Sequence, residues 1–185
     1  MQQTEKGDFI LGADVLAYLF PIRHPMIMVD RITGYSPSPL SITAERYIPA
    51  NEPVFSGHFP NLKLWPGVYT IEGLRQTCYL LWVLQGLDKA DLLSGAVELH
   101  KRQILWPRVD NAICNKVIDY LLSNRIPDPD LFSADIKLLE PVFAGSLVKY
   151  QVTGDSGSFH SWLVNAMVNE KLVAKGIIEM SLQVG

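Results

Sequence analysis

The stretch from residue 68 to residue 84 constrains the fold most strongly, because it is apolar on almost every side of a helix. Pro66 and Gly67 stand directly before it, and a proline near the first helical position is typical of a helix start. A helix that is hydrophobic all round is buried, either inside a protein or in a membrane. The longest near-apolar run, residues 77–84, is too short to cross a bilayer. We therefore expect a long central helix that the rest of the chain covers.

The segments on either side of this helix have the patterns of β-strands. Residues 26–35 and 40–48 are strand-like, and a Ser-Pro-Ser-Pro turn separates them. Beyond residue 132, apolar and polar side chains alternate with the period of 2 that strands require. The segments there are 134–140, 147–153, 162–169 and 172–184. Their short connections favour an antiparallel meander, and the pattern predicts an α+β fold with an antiparallel sheet wrapped around the central helix.

Two shorter helices are also expected. Residues 12–20 form a helical pattern that Pro21 ends. The long connection at 86–132 contains apolar residues at i, i+4 spacing, which predicts an amphipathic helix there. These residues are Val109, Ile113, Val117 and Leu121. The connection is therefore interpreted as a helical insertion between the central helix and the later strands.

Length and composition predict the number of domains and the cellular compartment. The 185 residues suffice for one well-buried domain, over residues 1–185, and two full domains are unexpected at this length. The amino terminus is polar and has no pattern of a signal peptide. Cys78 and Cys114 lie in helical patterns, which favours buried thiols and a reducing compartment. We expect a cytoplasmic protein.

Composition also bears on partners. The net charge of −3 provides no general attraction to nucleic acid or to an anionic membrane, so neither is an expected partner. The four histidines are scattered and lack the paired spacing of metal ligands. We expect no metal site.

Residues 51–76 carry the groups that could do chemistry. His58 lies in a turn between Gly57 and Pro60, where an imidazole has a restrained direction and suits a general base. The helix start at Gly67 leaves backbone N–H groups that can hold a developing oxyanion. Glu72 follows on an otherwise apolar helix face, where a buried carboxyl group tends to keep its proton and can act as a general acid. Together they are the parts required to abstract a proton next to a carbonyl group.

These residues resemble the 3-hydroxyacyl-[acyl carrier protein] dehydratases, a family of hot-dog fold. Four blocks occur in the family's order, and the spacing of fourteen from His58 to Glu72 matches the family. The central block comprises Asn51-Glu52-Pro53, Phe55-x-Gly57-His58-Phe59-Pro60, Pro66-Gly67-Val68 and Ile71-Glu72. The other blocks are residues 20–31, 140–145 and 171–174.

The resemblance implies a role for each matched residue. His58 takes the C2 proton of a (3R)-3-hydroxyacyl thioester, and Glu72 protonates the departing 3-hydroxyl group. Backbone N–H groups at Gly67 and Val68 bind the thioester oxygen. The product is a trans-2-enoyl thioester, formed without a metal or an organic cofactor. Relatives that also isomerise the double bond carry aspartate at the acid position, so Glu72 favours the branch that only dehydrates.

The resemblance also implies the partners. The substrate is carried by acyl carrier protein or by CoA, in fatty-acid synthesis or in a specialised acyl or polyketide pathway. Two copies join their sheets as a homodimer, alone or as a trimer of dimers, and the histidine of one copy faces the glutamate of the other. The acyl tunnel is expected to be lined by Phe59, Trp65, Ile71 and Gln76.

Several departures keep alternatives open. Ile22 stands where the family has histidine, Arg75 where it has a small residue, and the insertion at 86–132 is long. Glu72 could instead be a salt-bridged carboxylate, paired with Arg75 or Arg23. Gln76 could orient Glu72 or satisfy only its own hydrogen bonds. An acyl thioesterase, or a non-catalytic acyl-binding or accessory subunit, therefore stands beside the dehydratase as an interpretation.

Overall fold

A six-stranded antiparallel sheet and one long helix dominate the structure, a computed structural model that describes residues 11–101, 112–124, 131–154 and 161–181. The helices are α1 (Ala13–Leu19), α2 (Gly67–Lys89), α3 (Leu93–Lys101) and α4 (Ala112–Ser123), with a 3₁₀ helix at Pro53–Ser56. The strands are β1 (Arg31–Pro37), β2 (Leu40–Tyr47), β3 (Leu131–Leu138), β4 (Leu147–Gly154), β5 (Ser161–Val168) and β6 (Lys171–Ser181). Their spatial order is β1-β2-β4-β5-β6-β3.

Helix α2 is the central helix that the sequence predicts. It is buried almost without interruption from Gly73 to Leu84, and it packs against β4, β2 and β5. The helix begins one residue earlier than predicted and continues five residues further, to Lys89. Its burial on all sides follows from its apolar composition, because no face of it is suited to water.

The predicted alternation appears in the sheet as an inner and an outer face. Tyr150 pairs with Ala44, and Val152 pairs with Ile42, so that apolar residues of β2 and β4 lie on one face. On β5, Trp162 and alternate residues after it are buried in the same way. The inner face of the sheet packs on α2 and forms the core.

The predicted meander is correct for β4, β5 and β6 but wrong for β3. Strand β4 has β2 on one side and β5 on the other, so both of its edges are occupied. Strand β3 pairs instead with the open edge of β6, where Asp135 lies opposite Ile177. Gly176 permits the close approach, because a Cβ there would lie 2.0 Å from the Asp135 carbonyl oxygen. The sheet therefore ends at β3.

The first predicted strand, 26–35, is also partly wrong. Strand β1 begins at Arg31, and residues 26–30 lie outside the sheet. The side chain of Gln76 on α2 takes the place of a neighbouring strand. It donates to the Met26 carbonyl at 2.7 Å and accepts from the Met28 N–H at 2.8 Å. A helix side chain thus satisfies the backbone groups that a strand would otherwise pair.

The insertion contains helices, as predicted. Val117 and Leu121 of α4 are buried in the core, and the Tyr120 hydroxyl donates to the Gly86 carbonyl of α2 at 3.2 Å. Val109 and the segments 102–111 and 125–130 lie outside the described residues. Among the described helices, none combines the length and the apolar character needed to cross a membrane.

Candidate active site

His58 is held in one tautomer by the backbone around it. The backbone N–H of His58 donates to the Val54 carbonyl at 2.9 Å, and this bond anchors the residue directly after the 3₁₀ helix. Its ring nitrogen Nδ1 lies 3.0 Å from the Leu64 carbonyl oxygen. A carbonyl oxygen only accepts hydrogen bonds, so Nδ1 carries a proton, and in the neutral imidazole Nε2 is the basic nitrogen. The turn therefore presents a half-buried imidazole with its basic nitrogen available.

The start of α2 presents backbone donors. Pro66 precedes the helix, and no side chain caps this end. Tyr69 N–H donates to the Pro66 carbonyl at 3.0 Å, whereas the N–H groups of Gly67 and Val68 have no partner among the described residues. Such groups carry the positive end of the helix dipole and suit an oxyanion.

A cavity of about 280 Å3 lies beside this helix start. Its walls include Trp65, Gly67, Thr70 and Leu138. Gly67 lies close to β3, because a Cβ there would lie 2.3 Å from Cδ1 of Leu138. The cavity is mainly apolar, and it adjoins the backbone donors.

Glu72 is held by three hydrogen bonds. Nε of Arg75 donates to its Oε2 at 2.8 Å, and Nη2 of Arg75 donates to its Oε1 at 2.7 Å. Nε2 of Gln76 donates to the same Oε1 at 2.8 Å. Glu72 is thus the salt-bridged carboxylate that the sequence left open, with Arg75 as its partner. Arg23 instead donates to the Phe20 and Ile22 carbonyls.

These contacts differ from the surroundings expected for Glu72. The apolar helix face predicted a carboxyl group among apolar side chains, but both of its oxygens accept hydrogen bonds from a guanidinium. Arg75 itself is nearly buried, at 8% side-chain exposure, and lies over the ring of Phe132. The i,i+3 spacing on the helix was the signal for this pair.

Gln76 links the carboxylate to the backbone of residues 26–28. The sequence left two roles open for Gln76, to orient Glu72 or to satisfy only its own hydrogen bonds. In the structure, the Gln76 amide does both, because it bonds the backbone of Met26 and Met28 and also donates to Glu72. It is almost fully buried. Its position in the structure is that of a support for Glu72, and a contact of Gln76 with an acyl chain stays a prediction.

The other predicted tunnel residues lie at different depths. Phe59 is half exposed and stacks on the His58 ring with 4.5 Å between centroids. Trp65 is buried against Phe55 and Tyr69 and lines the cavity. Ile71 is partly buried on α2. A tunnel lined by these side chains stays a prediction.

The site has two separate parts within one chain. Among the described residues, no hydrogen bond or ion pair joins His58 to Glu72. The same part of the chain contains no group of three or more histidine, cysteine, aspartate or glutamate residues placed to hold a metal ion. The chemistry that the described residues offer is that of a base, an anion-binding helix start and a carboxylate.

Comparison with known proteins places this motif in a family. The FabA-like domain family matches residues 20–117, which is more than half of the chain and includes His58 and Glu72. The chain is 34% identical over 109 residues to the 3-hydroxyacyl-[acyl-carrier-protein] dehydratase FabZ of Oleidesulfovibrio alaskensis, covering 56% of this chain and 70% of that protein. It is 38% identical over 99 residues to the protein of the same name from Chlamydia trachomatis serovar L2, covering 53% of this chain and 65% of that one. The match therefore spans less than two thirds of the Chlamydia protein.

A solved structure is similar over nearly the whole chain. The crystal structure of Cj0977, a sigma28-regulated virulence protein from Campylobacter jejuni, has a TM-score of 0.51 at 11% sequence identity. The similarity covers 92% of this chain and 89% of that one. At this identity the similarity bears on the fold alone. With the six-stranded antiparallel sheet around α2, it confirms the predicted α+β hot-dog fold with a helical insertion.

Proposed function

Because the chain belongs to the FabA-like domain family, we propose that it removes water from (3R)-3-hydroxyacyl thioesters and forms trans-2-enoyl thioesters. Relatives that share a third or more of their aligned residues with it bear the name of such a dehydratase. The substrate is carried by acyl carrier protein or CoA, and the reaction serves fatty-acid synthesis or a specialised acyl or polyketide pathway.

The observation that carries the proposal is the hydrogen bond from Nδ1 of His58 to the Leu64 carbonyl. In the neutral imidazole, this bond leaves Nε2 without a proton, which is the form that a base requires before it accepts the C2 proton. Negative charge then develops on the thioester oxygen, and the N–H groups of Gly67 and Val68 stabilise it there. A histidine with the opposite tautomer could not begin this reaction.

Glu72 completes the elimination by giving a proton to the departing 3-hydroxyl group. The C2–H and C3–O bonds break, a C2=C3 double bond forms, and water leaves. The carboxyl group must hold a proton at that moment, and Arg75 and Gln76 fix its position by hydrogen bonds.

A second copy of the chain completes the site. His58 and Glu72 are not joined within the chain, among the residues that the structure describes. Strand β3 lies at the edge of the sheet, and its Phe132 and Leu138 are exposed. Pairing of this edge with its copy would cover these side chains and bring the two halves together. A homodimer is the smallest assembly that fits, and a trimer of dimers contains the same contact.

Domain organisation and location complete the proposal. Residues 1–185 act as one domain, because α3 and α4 pack on α1 and α2 rather than forming a separate core. The buried thiols of Cys78 and Cys114 suit a reducing cytoplasm. Neither nucleic acid nor a membrane is needed as a partner.

The test follows the enoyl absorbance of crotonyl and longer 2-enoyl thioesters, on acyl carrier protein and on CoA. Wild-type protein should hydrate them and remove the absorbance, and His58→Ala and Glu72→Gln should each abolish the change. His24→Ala is the matched control, since His24 is exposed and lies outside the site. A flat trace for folded wild-type protein with every substrate would refute the dehydratase and favour a non-catalytic acyl-binding or accessory subunit.

The shared site has its own test. Inactive His58→Ala and Glu72→Gln proteins are mixed, unfolded and refolded together. Random pairing makes half of the dimers mixed, each with one intact site, so about a quarter of the wild-type activity should return. No recovery, with mixed dimers shown by mass, would place both residues of each site in one chain.

A further inference from the structure

A hydroxyl group without a partner lies in the wall of the cavity beside the start of α2. Thr70 lines this cavity, is only 2% exposed, and its side chain makes no hydrogen bond to another described residue. The hydroxyl of a helical threonine often donates to the carbonyl four residues earlier, as that of Thr77 does to Gly73 at 2.7 Å. Because Thr70 is buried among the elements around it, a partner reaches its hydroxyl from the cavity.

The other side chains of the cavity wall are mostly apolar or already paired. The aliphatic ones are Leu64, Leu138, Leu139, Val142 and Val173. Glu140 lies towards the surface, where Lys171 pairs with its carboxylate at 2.9 Å. A ligand that displaces water from this cavity leaves the Thr70 hydroxyl unpaired, at a cost in free energy, unless the ligand itself offers a polar atom.

The N–H groups around the cavity make it rich in hydrogen-bond donors. Those of Gly67 and Val68 have no partner among the described residues, and Nε1 of the wall residue Trp65 also lacks one there. An N–H group donates and cannot accept, and the Thr70 hydroxyl is able to donate as well. The complementary ligand is therefore one with more than one oxygen acceptor.

The cavity has room for a chain of atoms. Its volume of about 280 Å3 exceeds the roughly 150 Å3 that accommodates benzene in an engineered protein cavity. Two of its wall residues, Leu138 and Leu139, are exposed, so the cavity is reached from the surface of the chain without crossing the core.

We propose that this cavity selects acyl thioesters whose chain carries an oxygen atom, and that Thr70 is the residue that recognises this oxygen. The inference rests on the proposed function, in which the N–H groups of Gly67 and Val68 hold the thioester oxygen. Thr70 follows Gly67 by three residues, or about 4.5 Å along the helix axis. Its hydroxyl therefore meets the chain a few carbons beyond the thioester, where an ether, carbonyl or hydroxyl oxygen accepts its hydrogen bond. A hydrocarbon chain of equal length leaves the hydroxyl unpaired.

The experiment compares 2-octenoyl-CoA with analogues in which an ether oxygen replaces the methylene at carbon 5, 6 or 7. These chains match in length, and the enoyl absorbance gives kcat/KM for the hydration of each. Thr70→Val keeps the shape of the side chain and removes its hydroxyl. It should lower the ratio of kcat/KM for the best ether to that for 2-octenoyl-CoA by about tenfold, the value of one hydrogen bond. A change in the folded fraction affects both substrates equally and leaves this ratio unchanged.

Thr77→Val is the matched control, because it removes a hydroxyl of the same helix that already donates to Gly73. It should change the ratio by less than about twofold. A second measurement requires no turnover. Calorimetry compares the binding of octanoyl-CoA and of its saturated ether analogue to wild-type protein and to Thr70→Val, and the preference for the ether should again fall about tenfold.

The outcomes separate this inference from the proposed function. Wild-type protein that hydrates these substrates, with the same ratio in Thr70→Val, overturns the role of Thr70 and leaves the dehydratase proposal standing. Absence of hydration, together with a binding preference for the ether that Thr70→Val removes, overturns the proposed function and supports the selection of oxygen-bearing chains. Absence of both hydration and preference overturns both.

Discussion

Replacement of Gln76 by methionine should destabilise the protein and misplace Glu72 in the same step. Methionine keeps the length and burial of the side chain but removes the contacts with Met26, Met28 and Glu72. Residues 26–28 lie outside the sheet, and the Met26 carbonyl and the Met28 N–H depend on this amide. The variant therefore isolates the polar role of a residue that the sequence suggested for the tunnel.

The magnitude follows from the burial of the groups left behind. Met28 is buried, so its N–H loses its acceptor without gaining water, at about 1–3 kcal/mol. Met26 is exposed, so water can replace the amide at its carbonyl. We expect the free energy of unfolding to fall by about 2 kcal/mol. For a chain of this length, this corresponds to a decrease in Tm of about 4–8 °C.

The assay is denaturant unfolding followed by circular dichroism, at one protein concentration because the proposed dimerisation would contribute to apparent stability. Gln85→Met is the matched control, since Gln85 lies partly buried on the same helix and its side chain makes no hydrogen bond to another described residue. Equal unfolding free energies for the two variants, within about 0.5 kcal/mol, would refute the role of Gln76 in holding residues 26–28.

Three further outcomes follow from the packing. Gly176→Ala places a Cβ 2.0 Å from the Asp135 carbonyl oxygen and should lower the free energy of unfolding by about 3 kcal/mol or more. The same unfolding assay measures this loss. Gly34→Ala is the control, because its Cβ would make only ordinary contacts and should cost much less. Tyr150→Phe removes a buried hydroxyl with no partner among the described residues, so stability should stay unchanged or rise by about 1 kcal/mol, and a clear loss would reveal a partner. Burial raises the pKa of the Cys78 thiol, so alkylation of Cys78 in the folded protein should stay slow from about pH 7 to 9. In the unfolded protein, alkylation should become faster as the pH rises towards about 8.5, the usual pKa of a cysteine thiol. Peptide mass spectrometry measures this reaction, and fast labelling of folded protein would contradict the burial.

The elements that sequence predicted well are those with a strong local pattern. Helix α2 is apolar on all sides and begins at Pro66 and Gly67, so both its burial and its start follow from its own residues. Alternation placed β4 and β5 to within about one residue, and strand-like composition after the Ser-Pro-Ser-Pro turn placed β2 equally well. Residues 182–184 of the last predicted strand lie outside the described residues.

The errors arose where distant groups compete for one position. Whether β3 pairs with β4 or β6 depends on which strand edges are already occupied, and no local pattern records this. Residues 26–30 have the composition of a strand, but a side chain from α2 pairs with their backbone. Arg75 and Arg23 were both possible partners of Glu72, and the helical spacing made Arg75 the one in contact.

The sequence by itself determined the fold class, the central helix and the motif that contains His58 and Glu72, because these depend on residue type and spacing along the chain. The tertiary structure decided which groups the side chains of that motif contact. The Leu64 carbonyl sets the tautomer of His58, and both oxygens of Glu72 accept hydrogen bonds from Arg75. A hydrogen bond depends on the donors and acceptors that folding brings within about 3 Å, and the order of the residues along the chain does not give that distance.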